Sequence, residues 1–142
     1  MSNVNDILKV KGHDVWSISP EASVYDAIRL MADKKVGALV VIEDSKPVGI
    51  VSETDYMRKV ILKGRTSQGT SVKAIMTTRV LYVHPQQDIE ECMVLMTKKR
   101  TRHLPVLDDG NLIGLVSIGD VVKSIIDEQR FTIEQLENYI AS

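Results

Sequence analysis

The 142-residue chain repeats itself along most of its length. Residues 16–61 align with residues 81–126 at a constant offset of 65 positions and without a gap. Twelve of the 46 aligned pairs are identical, whereas average composition gives about 3 identities by chance. The identical pairs are Pro20/Pro85, Leu30/Leu95, Met31/Met96, Lys34/Lys99, Leu39/Leu104, Val41/Val106, Asp44/Asp109, Gly49/Gly114, Val51/Val116, Ser52/Ser117, Asp55/Asp120 and Ile61/Ile126. We therefore expect two copies of one supersecondary unit.

Each copy begins with a predicted strand and a predicted helix. The strands cover residues 15–19 and 80–84, and each stops before a proline, which cannot donate a hydrogen bond to a sheet. In the first copy, Ser23 and Asp26 form a pair typical of a helix N-terminus. Asp88 and Glu91 form the corresponding pair in the second copy.

The second half of each copy predicts a strand, a strand and a helix. Unbroken apolar runs at residues 38–42 and 104–107 indicate strands buried on both faces. Short polar turns follow both runs, so each buried strand forms an antiparallel hairpin with the next strand. The last helices begin near Asp55 and Asp120, and the first of them ends at Gly64.

These elements predict a mixed α+β fold of two tandem βαββα repeats, packed sheet to sheet with pseudo-two-fold symmetry. The first repeat spans residues 4–63 around the core 16–61, and the second spans 71–130 around the core 81–126. Residues 64–70 form a polar linker, and residues 131–142 form a C-terminal amphipathic helix capped by Thr132. A fainter echo of the repeat relates Val4, Ile7 and Leu8 to Val72, Ile75 and Met76.

Charge and cysteine content limit the function classes. The formal net charge of −1 gives no reason to expect nucleic-acid or membrane binding. The single cysteine, Cys92, excludes an intrachain disulfide framework and favours a reducing compartment. No segment has the pattern of a signal peptide or a membrane span. We therefore expect a soluble, cytoplasmic protein.

Two serine–aspartate motifs carry the chemistry of the chain. Ser52 and Ser117 each follow a buried strand at a point where backbone amides and a hydroxyl suit a phosphate. Asp55 and Asp120 lie three residues later, and an ionised carboxylate accepts two hydroxyl donors at once, as the ribose of a nucleotide offers. The structural alternative for each aspartate is a helix N-cap.

At this point the chain resembles a tandem pair of CBS domains, also called a Bateman module, over about residues 4–130. The resemblance rests on residues 49–55 (Gly-Ile-Val-Ser-Glu-Thr-Asp), 114–120 (Gly-Leu-Val-Ser-Ile-Gly-Asp) and 102–108 (Arg-His-Leu-Pro-Val-Leu-Asp). Because little of the chain lies outside the module, it is similar to stand-alone CBS-pair proteins. The resemblance implies a homodimer that regulates a partner protein, which the sequence does not name.

The resemblance also implies two ligand sites, each drawing on both copies. One site would comprise Ile50, Ser52, Thr54 and Asp55 with Thr77, Val80, Arg102 and His103. The other would comprise Leu115, Ser117, Gly119 and Asp120 with Lys11, Gly12, His13, Val36, Gly37 and Ala38. The aspartates would hold ribose, and Arg102, His103 and Arg58 would meet phosphates.

The two implied sites differ in charge and in size. Gly37 and Ala38 stand where the other copy has Arg102 and His103, so the Asp120 site would lack those two cations. Gly119 stands in place of Thr54, which removes a hydroxyl and lets a ligand approach the backbone. These differences favour a phosphate-rich group at one site and a roomier pocket, or a different nucleotide, at the other.

The leading function is a sensor module for an adenine nucleotide. AMP is the first candidate, and ADP, ATP, NAD and S-adenosylmethionine are the others; no metal is required. The alternative is a protein-contact scaffold with degenerate sites. No catalytic motif is recognisable, so we do not expect an enzyme. Cys92 and Trp16 are predicted to be core residues, and His13 and His84 to be structural or exposed.

Overall fold

The computed structural model describes residues 2–141. The chain divides into two compact units, one formed by Val15–Val80 and one formed by Met1–Asp14 with Leu81–Ser142. We call them the Asp55 unit and the Asp120 unit after the motif aspartate that each contains. Both combine helices with a small sheet, so the mixed α+β prediction is confirmed.

The Asp55 unit is built on a three-stranded sheet. Its elements are β1 (Ser17–Ile18), α2 (Val24–Lys34), β2 (Ala38–Glu43), β3 (Lys46–Ser52), α3 (Glu53–Lys59), a 3₁₀ turn (Ile61–Lys63) and α4 (Val72–Ile75). The strand order is β1-β2-β3, with β1 parallel and β3 antiparallel to β2. Helices α2 and α4 bury apolar side chains against the sheet and form the core of this unit.

The Asp120 unit is built on a hairpin and contains the N-terminal helix. Its elements are α1 (Val4–Lys11), α5 (Ile89–Lys99), β4 (His103–Asp108), β5 (Asn111–Ser117) and α6 (Ile118–Ala141). Strands β4 and β5 are antiparallel. Val4, Ile7 and Leu8 of α1 are buried in the same core as Cys92, so the predicted burial of this cysteine is confirmed.

The predicted hairpins form with matching turns. Asp44 and Ser45 have φ values of 51° and 64°, and Asp109 and Gly110 have φ values of 51° and 81°. Two successive positive φ values define the type I′ turn, whose twist matches that of the flanking strands. The residues of β2 from Ala38 to Val41 are buried, as their apolar run indicated.

The opening strand of the second copy is not formed as predicted. In the first copy, the Val40 amide donates to the Trp16 carbonyl at 3.1 Å. The position that corresponds to Val40 is Pro105, which has no amide hydrogen to donate. Pairing in the second copy is therefore limited to the single bridge between Val83 and Val106.

One helix-capping prediction is correct and the other is wrong. The Ser23 side chain accepts a hydrogen bond from the Asp26 amide at 3.1 Å and caps α2. Asp88 makes no side-chain cap at the start of α5. The first amide of that helix, from Ile89, instead donates to the Ser2 carbonyl at 3.2 Å.

Two further predictions are corrected. Residues 118–141 form one continuous helix, so Thr132 does not cap a separate C-terminal helix; its hydroxyl donates to the Glu128 carbonyl at 3.1 Å. No glycine or proline lies between residues 118 and 141 except Gly119, so nothing interrupts the helix. Trp16 is not a core residue: it is 36% exposed, and the Lys34 ammonium lies 4.3 Å from its ring centroid.

The short helices α1 and α4 dock by equivalent hydrogen bonds, as the upstream echo of the repeat indicated. These bonds are Val4 N to Gln87 O (2.9 Å), Asn5 N to Pro85 O (2.8 Å), Val72 N to Ala22 O (2.8 Å) and Lys73 N to Pro20 O (2.9 Å). By packing, residues 4–14 therefore belong with the second repeat core and residues 71–80 belong with the first.

Glycines make this docking close. A Cβ atom added at Gly114 would lie 2.6 Å from Leu8 Cδ2, and one added at Gly49 would lie 2.9 Å from both Met76 Sδ and Thr77 O. Because Thr77 O is a backbone atom, relief of a clash at Gly49 requires a movement of the chain.

Gly49→Ala is expected to lower the free energy of unfolding by about 1–3 kcal/mol, since it overpacks a close backbone contact. Gly119→Ala is the matched control, because its added Cβ would meet only Ser117 Oγ at an ordinary 3.7 Å. Urea unfolding of both variants measures the effect, and equal stabilities of the two variants would contradict the packing role of Gly49.

Candidate functional site

The first motif joins strand β3 to helix α3 through a reciprocal capping box. Ser52 is the N-cap, and its side-chain oxygen accepts a hydrogen bond from the Asp55 amide at 3.3 Å. The Ser52 amide donates to Asp55 Oδ2 at 2.9 Å, and the Ser52 hydroxyl lies 3.1 Å from the same oxygen. Asp55 is only 9% exposed. The carboxylate is therefore held in a fixed position at the end of a buried strand.

The other oxygen of the Asp55 carboxylate forms an ion pair with Lys59. Lys59 Nζ is 3.0 Å from Asp55 Oδ1 and also donates to the Ile75 carbonyl at 2.9 Å. Sequence reasoning missed Lys59. The signal that could have found it is the spacing of four residues from Asp55 on a predicted helix, at which an acid and a base face each other.

The second motif has the same capping geometry at the junction of β5 and α6. The Ser117 amide donates to Asp120 Oδ2 at 2.8 Å, and the Asp120 amide donates to Ser117 Oγ at 3.2 Å. In both motifs the serine is the capping residue and the aspartate lies three positions later. The alternative in which the aspartates themselves are N-caps is therefore wrong.

The cation on Asp120 comes from the other end of the sequence. Lys11, the last residue of α1, places Nζ 2.7 Å from Asp120 Oδ2 and donates to the Leu115 carbonyl at 2.6 Å. Asp120 Oδ1 accepts no hydrogen bond from residues 2–141. Burial opposes ionisation of Asp120, but the hydrogen bonds from Lys11 and Ser117 outweigh it and lower the pKa of this carboxyl.

The structure brings the other N-terminal residues of the implied Asp120 site to β5. His13 Nδ1 lies 2.8 Å from the Ile113 carbonyl oxygen, and Gly12 has a φ of 97°. Leu115 is buried in β5, and Gly119 follows Ser117 in the first turn of α6. Lys11, Gly12 and His13 thus belong to the same compact unit as Asp120, where Lys11 contacts Asp120 and His13 contacts β5 at Ile113.

The Asp55 unit contains most of the residues that the resemblance implied for the Asp55 site. Ile50 and Thr77 exchange two backbone hydrogen bonds of 3.0 and 2.8 Å, which attach the segment after α4 to β3. Thr54 and Val80 are half-buried, whereas Arg58 is exposed and makes no ion pair with a described residue.

The residues before each buried strand lie beside the motif of their own unit. The Gly37 carbonyl accepts a hydrogen bond from the Glu53 amide at 3.1 Å, and Ala38 pairs with Ser52 in the sheet. In the other unit, the Arg102 carbonyl accepts one from the Ile118 amide at 2.9 Å, and His103 pairs with Ser117. Val36, Gly37 and Ala38 are thus in the Asp55 unit, whereas Arg102 and His103 are in the Asp120 unit. Their implied assignment to the aspartate of the opposite copy stays a prediction.

His103 is not the cation that the sequence suggested. Burial and the nearby charges of Lys11 and Arg102 lower its pKa to about 4, although Asp120 acts in the opposite direction. At neutral pH the imidazole is uncharged, so Arg102 is the only permanent cation of this pair. A neutral imidazole still offers one donor and one acceptor to a ligand.

The arrangement suits recognition of hydroxyl and phosphate groups. Each motif combines a fixed carboxylate with a lysine ammonium. No group of three or more histidine, cysteine or acidic side chains within residues 2–141 is placed to hold a metal ion. Cys92 is buried, and burial raises the pKa of its thiol to about 11, so it is unsuited to nucleophilic chemistry at neutral pH.

Comparison with known proteins agrees with the duplicated motif. The CBS-domain family model matches residues 4–62 and again residues 72–127. This chain belongs to the CBS-domain family. The two matches make it a tandem CBS pair, as the two serine–aspartate motifs indicated.

Similar CBS proteins cover nearly all of this CBS pair. It is 40% identical to the CBS domain-containing protein CBSX3, mitochondrial, of Arabidopsis thaliana, over 98% of this chain and 72% of that protein. It is 52% identical to a putative signal-transduction protein with CBS domains from Burkholderia ambifaria MC40-6. That structure has a TM-score of 0.87, with 90% of this chain and 96% of that chain covered.

A more distant CBS pair has been solved with ligands. The CBS domain pair of protein MJ0100, at 21% identity and a TM-score of 0.78, is in complex with 5′-methylthioadenosine and S-adenosyl-L-methionine. The shared coverage is 90% of this chain and 98% of that chain, which shows a common fold. Within residues 2–141, no helix is both long and apolar enough to cross a membrane.

The lowered pKa of His103 predicts a pH-dependent stability. Between pH 6.5 and about 4, the unfolded state binds a proton at this position that the folded state does not, so the free energy of unfolding falls as the pH falls. We expect His103→Gln to remove about 1–3 kcal/mol of this pH dependence.

The measurement is urea unfolding at pH 7.0 and at pH 4.5. The lower pH is still above the pKa of Asp120, which is lowered from its ordinary value, so this carboxylate stays ionised in the folded chain. The control is His84→Gln, a substitution of an exposed histidine. If His103→Gln and the unsubstituted chain lose the same stability between the two pH values, the folded chain does not hold His103 as a neutral imidazole.

Proposed function

We propose that this CBS pair binds an adenine nucleotide, with AMP as the first candidate, and passes the occupancy of its site to a partner protein. The proposal assigns the chain a binding role and no catalytic step. ADP, ATP, NAD and S-adenosylmethionine are the other candidates, and the binding requires no metal.

The unpartnered oxygen of Asp120 carries the proposal. Ser117 and Lys11 fix Oδ2, while Oδ1 accepts no hydrogen bond from the rest of the described chain. The carboxylate is 24% exposed, so a ligand has access to it. An ionised oxygen with free lone pairs accepts hydroxyl donors, and the lowered pKa of Asp120 keeps this group ionised at neutral pH.

The charges beside Asp120 favour an anionic ligand. Lys11 Nζ lies 2.7 Å from Asp120 Oδ2, and the Lys11 side chain is 36% exposed, so its ammonium is able to turn toward a phosphate. His103 adds a neutral donor in the same unit. A phosphate is attracted by Lys11, whereas a sulfonium cation is repelled by it, which is why AMP precedes S-adenosylmethionine among the candidates.

The Asp55 motif supports a second and weaker site. Its two carboxylate oxygens are already engaged by Ser52 and Lys59, and the group is nearly buried. A ligand hydroxyl at Asp55 must therefore compete with an existing ion pair. We infer that Asp120 is occupied first.

The adenosine part of the proposal is supported by the shared fold. The MJ0100 pair holds two adenosine derivatives, 5′-methylthioadenosine and S-adenosyl-L-methionine. Ligand binding regulates a partner only when the partner distinguishes the free state from the bound state. We propose that the partner is a separate protein and that the module acts in a reducing compartment such as the cytoplasm, since Cys92 is a free thiol.

We also propose a homodimer. Exposed apolar side chains recur at equivalent positions after each serine–aspartate motif: Met57 of α3 corresponds to Val122 of α6, and Ile61 of the 3₁₀ turn corresponds to Ile126 of α6. Each of the four is at least 40% exposed. A recurring apolar surface is typical of an interface between copies.

Asp120→Asn is expected to weaken AMP binding by about 10- to 100-fold, because the neutral amide loses a charged acceptor and presents a donor to the ribose. Isothermal titration calorimetry measures the affinity. Asp109→Asn is the matched control, since Asp109 lies in an exposed hairpin turn whose positive φ asparagine tolerates. AMP, ADP, ATP, NAD and S-adenosylmethionine are titrated in turn to identify the preferred ligand.

Two results would overturn the proposal. In the first, Asp120→Asn binds AMP as tightly as the unsubstituted chain does. In the second, no adenosine ligand binds at millimolar concentration. That result would favour the protein-contact scaffold, in which the two motif carboxylates serve only to hold Lys59 and Lys11.

A further inference from the structure

The C-terminal part of α6 is exposed along its whole length. Every residue from Gln129 to Ala141 is exposed, whereas the earlier part of the helix buries Val121 in the core. The family model also ends at residue 127, so the segment lies outside the repeat. A helix of about 13 residues is marginal in water without tertiary contacts. This segment therefore needs a surface to pack against.

Five apolar residues and one glutamine form a stripe along α6. Residues at alternating spacings of four and three positions share one helix face, the pattern of a two-helix coiled coil. The stripe consists of Val122, Ile126, Gln129, Ile133, Leu136 and Ile140. Exposure of its apolar members rises from 40% at Val122 to 81% at Ile140. We call these six residues the α6 seam.

A groove flanks the first half of the seam. Its volume is about 530 Å³, and it is lined by Ile118, Gly119, Val122, Lys123, Ile126, Asp127 and Arg130. Lys123, Arg130 and Asp127 are its charged residues, so two positive charges and one negative charge leave the groove with a net charge of +1. Residues 131–141 carry Glu134 and Glu137 and no lysine or arginine. The groove and the C-terminal segment are thus complementary in charge as well as apolar.

The segment cannot fill the groove of its own chain. Val122 and Leu136 belong to one continuous helix, in which 14 residues span about 21 Å. A second copy of the chain supplies the same segment in the opposite direction. In that arrangement Val122 meets Ile140, Ile126 meets Leu136, and Gln129 meets Ile133, so that all six seam positions are paired.

We propose that two chains associate through antiparallel α6 helices, with residues 131–141 of each chain lying in the α6 groove of the other. The contact is isologous, since each chain offers both the groove and the segment. Lys123 of one chain faces Glu137 of the other twice in the dimer. The inference specifies the interface of the proposed homodimer and does not depend on any ligand.

The first test is sedimentation equilibrium of the full, ligand-free chain. We expect a species of twice the 15.9 kDa chain mass. Leu136→Glu should raise the dissociation constant at least 100-fold, because it places a charge in the seam. Phe131→Glu is the matched control, since Phe131 is also exposed but lies on the opposite face of α6, and it should leave the constant unchanged. Circular dichroism verifies that each variant is folded.

A charge-reversal cycle tests the antiparallel pairing. Lys123→Glu and Glu137→Lys should each weaken association about tenfold, and the double variant should recover most of that loss. Failure of the double variant to recover, a monomeric unsubstituted chain, or equal effects of Leu136→Glu and Phe131→Glu would each overturn the proposal.

Oxidative cross-linking tests the direction of the helices. The only native cysteine, Cys92, is buried and does not interfere. In the antiparallel arrangement, the double variant Val122→Cys/Ile140→Cys forms a disulfide-linked dimer, whereas Ile140→Cys alone does not. Cross-linking of Ile140→Cys alone would indicate parallel helices and would overturn the arrangement.

Discussion

The hydrogen bonds between a serine and the aspartate three residues later determine where each hairpin ends and where the following helix begins. The serine side-chain oxygen accepts a hydrogen bond from the aspartate amide, and the aspartate carboxylate accepts one from the serine amide. Both bonds are present at Ser52/Asp55 and at Ser117/Asp120. These contacts satisfy backbone amides that a helix N-terminus otherwise leaves unpaired. The same contacts hold a carboxylate at the end of a buried strand. Local folding and the candidate ligand site therefore depend on one interaction.

The two motifs differ in how their carboxylates are neutralised. Lys59 reaches Asp55 from the next turn of the same helix, so this ion pair is local. Lys11 reaches Asp120 from helix α1, which packs beside β5 at Gly114. The charge at Asp120 thus depends on the docking of the N-terminal helix, and the same docking helps to keep His103 neutral. The two motifs share one framework, and the different origin of their lysines makes their chemistry unequal.

Local patterns in the sequence were sufficient to predict the repeat, the hairpins and both motifs, because strand runs and capping pairs act over a few residues. Features that depend on distant residues were not predictable in this way. The second opening strand is lost because Pro105 lies opposite it. The family resemblance placed Lys11 in the Asp120 site, but no local pattern predicted their ion pair, which joins positions 109 residues apart. The lowered pKa of His103 follows from its burial and then from the nearby charge of Lys11, both of which depend on tertiary packing. Burial of Trp16 was predicted wrongly because an aromatic residue at a strand start is also stabilised at the surface by a lysine ammonium over its ring.

The central claim is that the capped carboxylates hold the ribose of an adenine nucleotide. The most direct measurement is a crystal structure of the chain grown with AMP. The account predicts ribose hydroxyls within about 2.6–3.0 Å of Asp120 Oδ1 and the phosphate turned toward Lys11. A structure in which AMP is bound but contacts neither Asp120 nor Asp55 would contradict it.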